Sequence, residues 1–199
     1  LVRLTRLFGD QVENYRETVT PPNMIHEKVP EIMLVSNLPP VNLLPPKLPD
    51  PPLAEDGGVP VQFPHRIGWH TDQSFRRPPP DISLFYANIP TPKGQGQTLF
   101  ANGVAAYEEL PASLEQRVDG LRGLHALRGA GRTEEAVRAG QKPEPLLSHQ
   151  QSQAQPVIRR HPVTGKRALY LCASSQMDWV DGPFLDMETG PDSEGAKLL

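Results

Sequence analysis

Two residues have the types and spacing to do chemistry: His70 and Asp72, in Gly68-Trp69-His70-Thr71-Asp72. Along an extended segment side chains alternate faces, so an imidazole and a carboxylate two positions apart project to the same side. Such a pair supplies two of the three donors of a 2-His-1-carboxylate facial set, which suits Fe(II) and leaves positions open for small ligands. With 6 His and 10 Asp in 199 residues, roughly 0.3 such pairs are expected by chance, so the spacing gains meaning only from its surroundings. A hydrogen-bonded structural pair is the alternative. A zinc hydrolase built on the same two residues lacks support, because no H-E-x-x-H or further histidine cluster accompanies them.

The remaining candidates read as structural. His125, in Gly123-Leu124-His125-Ala126-Leu127, sits in a strand-like run. His161 sits at a Gly/Pro turn, Pro162-Val163-Thr164-Gly165-Lys166, between two β-rich runs, which is a hairpin pattern. Tyr15 reads as a surface tyrosine.

These residues need elements to position them. Leu1, Leu4 and Leu7-Phe8 recur at helical spacing, and Glu31–Ser36 reads as a short strand. Residues 38–64 carry Pro39-Pro40, Pro45-Pro46, Pro49, Pro51-Pro52, Pro60 and Pro64. Proline has no amide donor and a locked φ, so this stretch reads as a loop or polyproline II. Phe63–Asp72 reads as the approach to the strand that presents His70 and Asp72. The apolar run Ile82–Asn88 reads as a buried strand, and Thr98–Phe100 as a short strand after a Gly-rich turn. Asn102 can cap a helix over 103–110. Pro111 opens a second helix with Leu110, Leu114, Val118 and Leu121 on one face. Residues 129–156 read as mostly loop, 156–160 and 167–172 as the hairpin arms, and Lys197–Leu199 as part of a closing helix.

Composition sets the bounds. The 199 residues and 37% hydrophobic content suit one domain with a core. A net charge of -3 offers nothing to attract nucleic acid or an acidic membrane surface. No apolar run approaches the ~20 residues of a membrane span. The single cysteine, Cys172, precludes an internal disulfide and fits a reducing, cytoplasmic setting.

Several motifs occur in order: Trp69-His70-Thr71-Asp72-Gln73-Ser74-Phe75, Pro78-Pro79, Gly96-Gln97-Thr98-Leu99-Phe100-Ala101-Asn102, Ala105-Ala106-Tyr107, and His161-Pro162-Val163-Thr164-Gly165-Lys166 with Ala168-Leu169-Tyr170. Together with Leu1–Arg6 and Phe8-Gly9, this run resembles the taurine dioxygenase/TfdA-like family of Fe(II)- and 2-oxoglutarate-dependent dioxygenases. The resemblance implies a mainly β fold with helical insertions, part of a double-stranded β-helix of the jelly-roll, clavaminate synthase-like kind. It implies one domain over residues 1–199, interrupted by the Pro-rich loop at 38–64. His70 and Asp72 would be iron ligands, and Thr98 would bind a carboxylate of 2-oxoglutarate. With O₂ and a small organic substrate, the products would be the hydroxylated substrate, succinate and CO₂. No nucleic-acid or membrane partner is implied, and a homo-oligomer is compatible.

Two departures shape the expectation further. Relatives that act on taurine carry an asparagine where Arg66 stands, and a histidine and a tyrosine near Glu13-Asn14-Tyr15-Arg16, which argues against taurine as substrate. The family also places a distal histidine and a carboxylate-clamping arginine well after the hairpin, whereas no histidine follows His161 and no arginine follows Arg167. The chain therefore reads as a fragment of a dioxygenase that begins inside a helix. A non-catalytic remnant that keeps the scaffold and binds a ligand or partner is the alternative.

Overall fold

The computed structural model describes residues 1–18, 20–36, 41, 69–90, 98–127, 131–171 and 173–199. Apart from Val41, the Pro-rich stretch at 38–64 lies outside the described residues, as do Arg66 and Cys172. The chain forms two compact units, Leu1–Ile67 and Gly68–Leu199.

The first unit opens with a single-turn helix, α1 (Val2–Thr5), whose Leu4 stays exposed, as do Leu1 and Leu7 on either side. A 3₁₀ turn at Tyr15–Glu17 follows, with the Asn14 side chain accepting from the Arg16 amide. The expected strand at 31–36 is reduced to one antiparallel bridge, Ile25 to Met33. It is held by His26 N–H to Ile32 O at 3.0 Å and Leu34 N–H to Met24 O at 2.7 Å. Pro22, which lacks an amide hydrogen, stands in the adjoining 3₁₀ turn Pro22–Met24 and limits how far the ladder can extend.

In the second unit, α2 (Gly103–Glu108) begins where Asn102 accepts from the amides of Val104 and Ala105. Gly103 is required there: a Cβ would stand 2.7 Å from the Leu169 carbonyl oxygen, so only glycine lets α2 approach this closely. Helix α3 (Ala112–Val118) starts after Pro111 and turns Val118 into the core. Strand β1 (Arg122–His125) pairs antiparallel with β2 (Gln153–Pro156), Gly123 opposite Gln155 and His125 opposite Gln153. The hairpin β3 (Ile158–Arg160) and β4 (Arg167–Leu169) forms as its turn residues dictate. The other edge of β1 is covered by the run 176–185: Leu124 donates to Pro183 O, Asp178 to Leu124 O, and Leu185 to Arg122 O.

The core is built on Val118, Val157 and Phe184, with Leu110, Leu121, Ile158, Leu169, Leu171, Met187 and Leu198 packed around them. Met177 and Trp179 make a smaller cluster with Val137 and Ala196. Arg132 holds the 178–181 turn with paired hydrogen bonds to the buried Asp178 carboxylate and a contact to Asp181. Burial opposes its charge, but the two carboxylates more than offset that and raise its pKa. The closing helix is α5 (Glu194–Leu198).

Two expectations are corrected. The run at 82–88 is neither a strand nor buried: Phe85 is 74% and Tyr86 65% exposed. Residues 98–100 are likewise irregular, with Phe100 86% exposed. No strand among the described residues pairs with either run, and an apolar sequence without a ladder partner has nothing to cover it. The stretch 131–156 is mostly irregular, as expected, with two regular pieces. It contains α4 (Glu134–Arg138), capped by the Thr133 hydroxyl, and β2. Strand β2 is polar and was invisible to a hydrophobic pattern; its backbone pairing with β1 defines it. A closed β-helix is not formed among the described residues, whose sheets are two antiparallel pairs.

Candidate metal centre

The segment carrying the pair is anchored at both ends. The Thr71 hydroxyl donates to the Leu171 carbonyl at 3.1 Å. Ser74 is fully buried, and its carbonyl accepts from the Gln155 side-chain amide at 3.0 Å. His70 and Asp72 lie between or beside these two anchors, one to the end of the β4 arm and one to β2.

His70 Nε2 lies 3.0 Å from Asp72 Oδ1. The reason differs from the expected one. Residues 70 and 71 belong to no strand, and a turn begins at Asp72. Gln73 adopts φ 53, the left-handed region that costs a non-glycine residue about 1 kcal/mol or more. The turn, rather than strand alternation, ends the extended run and leaves the two side chains side by side.

The donor set suits a divalent first-row ion. Two ligands each about 2.1 Å from one ion and at right angles to each other are about 3.0 Å apart, the spacing of adjacent ligands in a six-coordinate site. The side chains are 29% and 68% exposed, so an ion can reach them from solvent. Among the described residues no group of three or more His, Cys, Asp or Glu converges, so the pair is two donors and not a complete set. Thr98 lies exposed in the irregular segment that leads into α2.

Two other described histidines are used elsewhere. His161 Nδ1 accepts from the amides of Val163 and Thr164, each at 3.2 Å, and so builds the hairpin turn. His125 is fully buried in β1 and stacks on Tyr170 with ring centroids 5.7 Å apart. Burial pushes its imidazole down to about 4, and neither ring nitrogen has a hydrogen-bond partner. Arg159 covers Tyr170, its guanidinium carbon 4.4 Å from the ring centroid.

Thr71, Ser74 and Gln155 are the positioning residues that sequence reasoning missed. Their contacts join residues 81 and 100 positions apart, and nothing local in a threonine, serine or glutamine marks such a partner.

Residues 1–194 match the family model described as "Taurine catabolism dioxygenase TauD, TfdA family". Pentalenolactone F synthase of Streptomyces arenae is 31% identical over 166 residues, covering 78% of this chain and 50% of that protein. The alpha-ketoglutarate-dependent sulfate ester dioxygenase of Pseudomonas putida is 33% identical, covering 52% of this chain and 35% of its own. A crystal structure of a taurine dioxygenase from Burkholderia xenovorans is 30% identical with a TM-score of 0.31, covering 49% of this chain and 26% of that one. The chain thus spans between about a quarter and a half of the length of these relatives.

Proposed function

The chain belongs to the TauD/TfdA dioxygenase family, and from that premise we propose that the whole protein is an Fe(II)- and 2-oxoglutarate-dependent dioxygenase that hydroxylates a small organic substrate. The observation that carries the reading is the 3.0 Å approach of His70 Nε2 to Asp72 Oδ1 within the ordered family motifs.

In this reading His70 and Asp72 hold the iron. When bound, iron with 2-oxoglutarate supplies the oxidising power for the hydroxylation, with succinate and CO₂ as co-products. The protein's share is positional. The Thr71 and Ser74 anchors keep the segment from swinging, so the two donors are presented together and little ordering remains when the ion arrives. The Thr98 hydroxyl is assigned a carboxylate of 2-oxoglutarate. The substrate is a small organic molecule other than taurine, given Arg66 and the Glu13–Arg16 run. Residues 1–199 act as one domain of this enzyme, in a homo-oligomer or alone. No helix among the described residues is long and apolar enough to cross a membrane, and with its lone cysteine we place the protein in the cytoplasm without a nucleic-acid partner.

The test is succinate production by the full-length protein with Fe(II), ascorbate and 2-oxoglutarate, against its His70→Ala variant. Turnover lost in the variant supports the enzyme. An inactive full-length protein, or one indifferent to His70→Ala, favours the non-catalytic scaffold, a reading that draws on there being only two converging donors among the described residues.

A further inference from the structure

Three arginines converge on a groove of about 290 Å³ in the second unit. Arg122 comes from β1, Arg160 from β3 and Arg167 from β4; Pro156 and Ile158 form an apolar wall, and Asp119 is the one carboxylate on the lining. Arg160 and Arg167 are direct partners in the antiparallel register, so two like charges face each other across the hairpin. That arrangement destabilises a strand pair unless something neutralises it.

The neutralisation is uneven. Arg167 donates to the Tyr107 hydroxyl, to Glu115 at 3.3 Å and to Asp119 at 3.3 Å. Arg122 donates to the Ala154 carbonyl at 2.6 Å, a neutral acceptor. Among the described residues Arg160 meets no carboxylate. Three arginines against Asp119 on the lining and Glu115 beside Arg167 leave one excess positive charge at the groove, on a chain whose net charge is -3.

We propose that this groove is a binding site for the phosphate group of a small phosphate monoester, separate from the metal centre. Guanidinium forks pair with phosphate oxygens through parallel, charge-assisted hydrogen bonds, and they remain charged throughout the working pH range. Strand partners have Cα atoms about 5 Å apart, so Arg160 presents its fork beside the already engaged Arg167, while Arg122 approaches from β1 of the other strand pair. A carboxylate lays its two oxygens in one plane, whereas a phosphate monoester directs three outward around phosphorus, so donors from different strands reach it together. The volume lies at the lower end for small-ligand pockets, and the Pro156–Ile158 wall suits a compact organic body.

The experiment is calorimetric titration of the full-length protein at low ionic strength with inorganic phosphate, phenyl phosphate and malonate, with unfolding temperatures read in parallel. Saturable phosphate binding is expected, tighter for phenyl phosphate, weaker for malonate, and accompanied by a rise in unfolding temperature. Arg160→Gln and Arg122→Gln each weaken phosphate binding about tenfold. Arg159→Gln, whose guanidinium lies over Tyr170 instead, leaves it within about twofold of the parent. Both groove variants keep the ligand-free unfolding temperature within a few degrees, since neither arginine closes the core. Equal losses in Arg159→Gln and Arg160→Gln would mean diffuse charge attraction and overturn the site. So would malonate binding as tightly as phosphate, or phosphate binding unchanged by both groove variants.

Discussion

The Thr71 hydroxyl donates to the carbonyl of Leu171, one hundred residues along the chain, at 3.1 Å. That bond ties the residue between the two candidate ligands to the end of the hairpin. Thr71→Val keeps the shape and removes the donor. It should cost about 1 kcal/mol of stability and weaken Fe(II) binding by up to about tenfold, as loss of supporting contacts does at other metal sites. Denaturant unfolding and titration with Fe(II) under anaerobic conditions measure the two effects. Unchanged affinity alongside the stability loss would show that the anchor supports the fold alone.

His70→Ala and Asp72→Asn remove donors that are partly exposed and lie outside the core. Full-length variants should therefore melt within a degree or two of the parent. Their succinate production should fall more than about 100-fold, beyond the cost of losing an outer-shell contact. A parallel drop in unfolding temperature would mean that the pair is structural.

His125 makes stability depend on pH. Its imidazole titrates near 6.5 when unfolded and is pushed down to about 4 in the fold by burial. Between those values the unfolded chain binds the extra proton, so acid favours unfolding. The neutral histidine's contribution is complete above about pH 6.5 and is lost as pH falls toward 4, a change on the order of 3 kcal/mol. His125→Phe should flatten the stability curve across that window in urea titrations at stepped pH. A variant curve parallel to the parent's would place the titrating group elsewhere.

Asp178 is fully buried against Arg132. Its Oδ1 also accepts from the amides of Val180 and Asp181, at 3.0 and 3.2 Å. Asp178→Ala leaves the guanidinium poorly compensated and two amides unpaired, so a loss of about 3–5 kcal/mol is expected. Arg167→Met, at the more exposed Glu115 and Asp119 pairs, should cost about 1 kcal/mol or less. Chemical denaturation of both separates the buried pair from the surface ones.

Local chemistry settled a definite share of this protein. The Asn102 cap, the proline before α3, the Gly/Pro turn between β3 and β4 and the apolar face through Val118 all act within a few residues, so composition and spacing sufficed. The H-x-D spacing and the ordered motifs around it were equally readable, and so was membership of the family. Tertiary structure decided what depends on distant partners. Polar β2 is a strand because β1 offers it a ladder, while apolar 82–88 stays exposed because no described strand does. His70 and Asp72 converge through a turn at Asp72 and Gln73, steadied by Leu171 and Gln155. The three arginines share one groove only because β1, β3 and β4 bring them there. A side chain's own chemistry is written at its position; its neighbours across a fold are set by backbone pairing and packing between segments far apart in the chain.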